Sequence, residues 1–434
     1  MNILMMTNTY KPIVGGLEKS VEIFSNEFRK RGHNVLIVTP ETKGVSLSEE
    51  NIIRIPAIQN FNKTDFSVKL PVPLTLSGKL RKFRPQIVHS QHPFLIGDTA
   101  LRISAKYEIP VIFTHHTLYE QYTHYVPVNS NALKRFVIEL STGYANLCDC
   151  VFAPSRGIKD LLEERGVETP IEVIPTGIYL KEFLDGDGKG FRKLFNLPED
   201  AFIIGYAGRV TAEKNLLFLS EAVISMLKKN ENCYFLLVGD GSLLNDIKNL
   251  FRHSGLYSRL YCTGILEGEK LRDAYYAMNV FAFTSKSETQ GLVLMEAMAS
   301  GVPVVAVDAI GVREVVKDGY NGRLLLSEDA CDFTDALEWI RNLAESEKNT
   351  LSDSAKKTAL DFAVEKSVEH ALGKYEEVIK KGYTGRKAED SLWESAGNKI
   401  RMEWDIASNV ARAVQAAVKM GPSKKRAKNR HVPG

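Results

Sequence analysis

Short apolar runs alternate with longer amphipathic stretches almost from the first residue of this chain, and few architectures accommodate such a rhythm. An unbroken apolar run of about four to six residues suits a strand buried on both faces, and the amphipathic stretch after it suits a helix covering one of those faces. Repeated, the pair builds a parallel sheet with helices on both sides. Strands are expected at Asn2–Thr7, Asn34–Thr39, Ile87–Ser90, Val111–Thr114, Val151–Ala153 and Glu172–Ile174, with a helix over Leu17–Arg31 closed by Gly32. Between Pro175 and Pro198 the rhythm breaks into a loop-rich stretch containing Asp185, Gly186, Asp187, Gly188 and Gly190. A second series follows at Phe202–Tyr206, Tyr234–Val238, Leu260–Thr263, Val280–Thr284 and Val304–Val307.

At 434 residues the chain exceeds what one core usually supports. The expected fold class is therefore α/β, with two Rossmann-like doubly wound domains facing each other across a cleft. The divisions are an N-terminal domain at 1–178, a linker at 179–200, a second domain at 201–381 and an extension at 382–434. In the extension, Ile400, Trp404, Ala407, Ala411, Val414 and Val418 recur at helical spacing opposite Lys399, Arg401, Asp405, Arg412 and Lys419, which predicts an amphipathic helix. Packing on its own protein, on a partner or on a membrane surface all suit it. A basic tail follows, with Lys424, Lys425, Arg426, Lys428 and Arg430.

No apolar run approaches the ~20 residues of a membrane-spanning helix. The opening residues read directly as a strand without a basic leader, and five scattered cysteines suit reduced thiols, so a cytoplasmic location is expected. Cys148 and Cys150 lack the further ligands a zinc site needs. A net charge of +3 is too small to imply nucleic acid.

In doubly wound sheets, ligands bind beyond the carboxyl ends of the strands, so the loops there are where chemistry is sought. After the strand ending at Phe283, the segment Ser287–Val305 carries Glu288 and Glu296 eight positions apart, a little over two turns at about 3.6 residues per turn. Gly291 opens the expected helix, whose first N–H groups are free to bind oxygens. Ordinary exposed glutamates would also explain the pair. After the first strand of the second domain, Ala207–Asn215 places Arg209 and Lys214 where a diphosphate can be held by charge-assisted bonds, a solvated pair being the alternative. In the first domain, Gly15 and Gly16 let backbone approach a ligand at a helix N-terminus. His115, His116 and His124 lie within ten residues, but no carboxylate completes a metal set. Asp185 and Asp187 imitate a metal-binding Asp-x-Asp, yet Lys189 stands where a calcium loop needs oxygen. Gly239-Asp-Gly-Ser242 lacks the third glycine of a dinucleotide fingerprint.

The Ser287–Val305 segment resembles the Glu-x7-Glu signature of retaining glycosyltransferase family 4, and Gly208-Arg209 with Lys214-Asn215 is similar to that family's Gly-Arg-x5-Lys-Asn arrangement and its close variants. The resemblance covers about residues 1–381 and implies the GT-B fold, with a nucleotide-sugar as co-substrate and neither metal nor other cofactor. It implies that Glu296 binds the ribose, and that Glu288, Gln290 and the amides of Gly291 and Leu292 hold the donor sugar. Gly208, Arg209 and Lys214 then meet the pyrophosphate, Gly15 and Gly16 contact the donor across the cleft, and His116 sits near the sugar. His116-Thr-x-Tyr119 followed by Tyr122-x-His124 resembles bacterial diacylglycerol glucosyltransferases of the same family, which implies a lipid acceptor met by Tyr119, Tyr122 and His124. Two basic clusters, Lys79, Arg81, Lys82 and Arg84, then Lys134 and Arg135, suit an anionic membrane surface, and the expected location is peripheral, on the inner face of the cell membrane. A transferase acting on a soluble or polyprenyl-linked glycan, and a non-catalytic sugar-nucleotide binder, are the competing readings.

Overall fold

The structure, a computed structural model, describes residues 1–13, 15–42, 49–58, 68–69, 74–121, 131–383, 405–406 and 408–415. The first domain runs β1 (Asn2–Met6), α1 (Gly16–Lys30), β2 (Asn34–Pro40), β3 (Ile52–Ile55), a small antiparallel pair β4 (Ala57–Ile58) and β5 (Val68–Lys69), and α2 (Leu74–Phe83). It continues with β6 (Ile87–Ser90), α3 (Ile96–Tyr107), β7 (Val111–Thr114), α4 (Asn131–Asn146), β8 (Cys150–Ala153), α5 (Arg156–Glu164) and β9 (Ile171–Val173). Its seven-stranded sheet has the order β3-β2-β1-β6-β7-β8-β9, with every pairing parallel.

The second domain runs α6 (Gly188–Leu194), β10 (Phe202–Ala207), α7 (Leu216–Lys229), β11 (Cys233–Val238), α8 (Leu244–His253), β12 (Leu260–Gly264), α9 (Gly268–Ala277) and β13 (Val280–Phe283). Then come α10 (Leu292–Ala299), β14 (Val304–Val307), β15 (Gly322–Leu325), α11 (Ala330–Asn342), α12 (Glu345–Leu360) and α13 (Val364–Tyr383). The sheet order is β12-β11-β10-β13-β14-β15, again parallel. Strand order reverses between β1 and β6 and between β10 and β13, so each sheet has one switch point.

Strand β1 explains the unbroken apolar runs. Ile3 and Met5 enter the core on one face of the sheet, while Leu4 and Met6 enter the core on the other, and all four are fully buried. The period-2 alternation of a strand is filled by apolar residues at every position because both faces are covered.

Two expected boundaries are corrected. The presumed linker carries its own packing: Phe183, Phe191 and Leu197 are buried in the second-domain core. Asp187, instead of belonging to a metal loop, accepts from Gly190 N at 2.8 Å and caps α6. The second domain does not keep residues to 381, because α13 returns to the first. Val364, Val368, Ala371, Tyr375 and Val378 pack there with Ile3, Met5 and Phe28. Tyr375 Oη meets His89 Nδ1 at 2.5 Å, and His89 Nε2 meets Thr114 Oγ1 at 2.6 Å.

Within the extension, residues 405–406 and 408–415 are helical, but the face that packs is not the expected one. Ile406, Asn409 and Ala413 are buried while Val410 and Val414 are exposed. Asn409 Nδ2 donates to Leu140 O on α4 at 3.1 Å, and a Cβ on Gly143 would lie 1.7 Å from Asn409 Oδ1. A buried asparagine at the closest approach to α4 thus sets which face turns inward. Ile400, Trp404, Ala407, Val418 and the basic tail lie outside the described residues.

Tyr375→Phe removes the hydroxyl from His89 and leaves a buried ring nitrogen unpaired. The expected loss is about 1–3 kcal/mol of stability, read as a lower urea midpoint at unchanged m-value.

Candidate active site

The loops after β10 and β13 flank the second-domain switch point and are fastened together. Thr284 Oγ1 donates to Lys214 O and Asn215 O, both at 3.1 Å, and Ser285 Oγ to Glu213 O at 3.4 Å. Gly208, at φ +147°, occupies backbone space that favours glycine, and a Cβ there would approach Tyr206 Oη to 2.9 Å. That hydroxyl donates to Arg209 O at 2.9 Å. The Gly239-Asp-Gly motif, dismissed as a dinucleotide fingerprint, buttresses this loop: Val210 N donates to Asp240 O at 2.9 Å and Leu243 N to Val210 O at 3.0 Å.

Arg209 and Lys214 both lie on the loop after β10. Lys214 Nζ pairs with Glu288 Oε1, and Arg209 Nη2 lies 3.2 Å from Glu213 Oε1 while remaining half exposed. Burial pushes the Glu288 carboxyl upward, but the charge and hydrogen bond of Lys214, with help from Ser285 and Arg209, outweigh it and hold the group below its ordinary range. Glu296 goes the other way. Burial raises it, only partly opposed by Lys19, and Tyr275 Oη donates to its Oε2 at 2.9 Å. The eight-residue spacing thus yields two carboxylates in opposite electrostatic settings. Gly291 caps α10 in the left-handed region at φ +78°, with no side chain capping the helix, so its first amides are available to an oxygen-rich ligand.

From the first domain, α1 begins at Gly16 with no side-chain cap; a Cβ on Gly16 would meet nothing within 4 Å, whereas one on Gly15 would strike Glu18. His116 Nε2 meets Gln91 Oε1 at 2.7 Å. Burial, reinforced by neighbouring His92, His89 and His115, holds His116 well below the ordinary imidazole range, so the ring is neutral. Thr289 Oγ1 donates to His116 O at 2.9 Å, which brings the His116 loop against Glu288. Gln290 is the exception among the expected donor contacts. Its Nε2 donates to Thr176 O at 2.6 Å and its Oε1 accepts from Thr176 N at 2.8 Å, so the carboxamide is filled by first-domain backbone.

A cavity of about 290 Å³ opens between Gln121 of the first domain and Ala212, Glu213, Asn215, Lys286 and Ser287 of the second. A smaller recess lies at Glu296 against Lys19, Tyr179, Glu182 and Leu292. Tyr119 packs between Phe94 and His115, with ring centroids 4.9 and 5.7 Å away. Its hydroxyl is met by the Thr117 side chain, while both His115 ring nitrogens have no hydrogen-bond partner among the described residues. Tyr122 and His124 lie outside those residues. Lys79, Arg81, Lys82 and Arg84 are exposed on and just after α2, Lys134 is exposed on α4 and Arg135 is half-buried there. No helix among the described residues is long and apolar enough to cross a membrane. Tyr275, Tyr206, Gln91 and Thr176 escaped sequence reading because nothing separates them from ordinary core positions along the chain.

Two doubly wound parallel-sheet domains, with cations and carboxylates gathered at the second switch point, make up the GT-B architecture. Residues 14–182 match the family described as Glycosyltransferase Family 4, and residues 201–342 match Glycosyl transferases group 1. An alpha-monoglucosyldiacylglycerol synthase of Streptococcus pneumoniae is 31% identical over 76% of this chain and 76% of its own length. The chain belongs to glycosyltransferase family 4. A synthase of the same name from Acholeplasma laidlawii is 27% identical over 74% of this chain and 84% of its own. A GDP-mannose-dependent alpha-mannosyltransferase of Corynebacterium glutamicum is 26% identical over 87% of this chain and 89% of its own. Among solved structures, a sucrose-phosphate synthase from Thermosynechococcus elongatus shares the fold at TM-score 0.72 and 20% identity, covering 87% of this chain and 99% of that one.

Lys214→Ala strands a largely buried carboxylate and is expected to cost about 3 kcal/mol. Adding Glu288→Gln restores part of that loss, a coupling that a double-mutant cycle of urea midpoints measures. Acid destabilises the protein as well. Burial lowers His89 and His92 to about 3 and His115 to about 4, so below the ordinary value of 6.5 the unfolded chain binds more protons than the native one. Stability is whole above pH 6.5 and falls as pH drops toward 4, which thermal melts at pH 7.5, 6.0 and 5.0 register as a declining Tm.

Proposed function

We propose that this protein is a retaining, metal-independent hexosyltransferase that moves a hexose from a nucleotide-sugar, UDP-glucose in the first instance, to a membrane lipid such as 1,2-diacylglycerol, forming an α-glycolipid. The observation that carries the reading is the Lys214–Glu288 pair, held at the switch point and pressed by Thr289 against the His116 loop. In this reading the diphosphate draws Lys214 and Arg209 to its oxygens, and the free N–H groups of α1 at Gly16 and of α10 at Gly291 add fixed positive ends. Glu288 and the Gly291 and Leu292 amides hold the sugar, and Glu296, steadied by Tyr275, accepts from the ribose. The neutral His116 ring lies by the sugar. The departing phosphate assists removal of the acceptor hydroxyl's proton on the same face, which preserves the anomeric configuration.

The lipid acceptor is supported by the two relatives named as diacylglycerol glucosylating enzymes and by the exposed cations of α2 and α4, each worth about 1 kcal/mol against anionic lipid when well placed. The His115 ring nitrogens, without a hydrogen-bond partner among the described residues, suit an acceptor that brings its own hydroxyls. The GDP-mannose-dependent relative, which spans more of this chain, makes GDP-mannose the competing donor.

Purified protein is expected to transfer glucose from UDP-glucose to diacylglycerol in anionic vesicles, to keep its rate in EDTA and to give the α-anomer by NMR. Arg209→Ala and Lys214→Ala are each expected to lower kcat/KM about a hundredfold or more. Transfer from GDP-mannose alone, or to soluble glycans alone, identifies the alternatives, and near-normal turnover in either alanine variant defeats the proposed role of the cations.

A further inference from the structure

The donor loop is attached to the first domain by groups that face away from the cleft. Gln290 is buried, and its carboxamide exchanges two hydrogen bonds with one residue, giving to Thr176 O at 2.6 Å and taking from Thr176 N at 2.8 Å. Thr176 sits just past β9, where the chain passes from the first-domain core at Ile174 to the second-domain core at Ile178, and its Oγ1 meets Ser20 Oγ of α1 at 2.7 Å. The contact therefore joins three parts: the Glu288–Gly291 loop, this crossover and the helix whose N-terminus is Gly16. One residue before Gln290, Thr289 holds the His116 carbonyl. Behind the loop, a Cβ on Gly311 would come within 2.4 Å of Gln290 N, so the backbone is wedged from the other side, and Gly311 N donates to Glu288 O at 3.1 Å.

We propose that Gln290 is a positioning residue that registers domain closure: its carboxamide, by filling both backbone groups of Thr176, sets Glu288 and the Gly291 amide against the His116 loop. This rests on the glycosyltransferase reading above and adds to it the group that makes the two halves of the site meet in one geometry. With the domains apart, the carboxamide and the Thr176 backbone both lose their partners; with them together, all four polar groups are satisfied. A primary amide is the side chain that offers one donor and one acceptor at the distance a peptide unit demands. A displacement of the loop by about 1 Å is enough to cost on the order of a hundredfold in rate.

Two variants test it. Gln290→Leu keeps the bulk and removes both bonds; kcat is expected to fall at least about tenfold, and small-angle scattering with UDP bound is expected to report a larger radius of gyration than wild type. Gln290→Glu keeps the acceptor but, when ionised, sets a carboxylate against Thr176 O. Protonation restores the donor, so the ratio of variant to wild-type kcat is expected to rise as pH falls from 8 to 6. The other ionisable groups of this region, Glu288, His116, Glu18 and Lys19, are present in both proteins, and Glu288 and His116 are held below the pH range of the test. A buried carboxylate at 290 also loses stability as it ionises, so kcat is referred to the folded fraction that the melting curve gives at each pH, and a loss of stability alone then leaves the ratio flat. A flat ratio, or Gln290→Leu with wild-type kcat and radius, overturns the proposal. UDP binding by calorimetry keeps the two readings apart: wild type that binds no nucleotide defeats the donor site itself, whereas a scattering change in Gln290→Leu alone bears on closure.

Discussion

A lysine and a glutamate from loops 74 positions apart share one largely buried place at the switch point of the second sheet. Desolvating both charges costs about as much as their attraction returns, so such a pair is poorly explained by stability. Its consequence is positional. It pins the loop after β10 to the loop after β13, and the Thr284 and Ser285 hydroxyls continue the fastening along the same seam. Everything else in the site is measured from that seam: Arg209 at its mouth, the α10 amides at its end, and the first-domain loops pressed against it from above.

The two glutamates of the signature show how environment divides identical side chains. Glu288 is kept ionised by a cation, whereas Glu296 has a phenol as its nearest donor and burial as its dominant influence. A group that stays charged is suited to strongly polarised ligand hydroxyls or to holding a cation in place. One whose charge is discouraged is a gentler acceptor, whose proton affinity changes when a ligand displaces the water around it.

Most of the strands were legible because burial on both faces writes them as unbroken apolar runs, and Ile87–Ser90, Val111–Thr114 and Val304–Val307 coincide with β6, β7 and β14. Edge strands β3 and β15 escaped because an arginine, Arg54 or Arg323, interrupts the apolar run of each. The carboxylates and cations of the site were readable from spacing only with a family pattern beside them. Gln290 was read as a ligand contact because the residues on either side of it were, and nothing in a sequence says which way an amide turns. The return of α13 was hidden for a similar reason: its apolar stripe specifies that it packs, not against which sheet. The inward face of the extension was misjudged because a buried asparagine, chosen by the approach of Gly143, took a place that apolarity assigns to valine.

The crossing of α13 makes the first domain discontinuous, with Tyr375 closing a core that opens at Ile3. As the chain leaves the ribosome, the N-terminal sheet therefore emerges with one flank uncovered and stays so until α13 has been made. The second domain, contiguous from about Phe183 to Leu360, has every partner it needs earlier in its own synthesis. The half of the protein made first is thus the half completed last, and a nascent chain arrested before Val364 exposes an apolar surface that quality-control factors recognise.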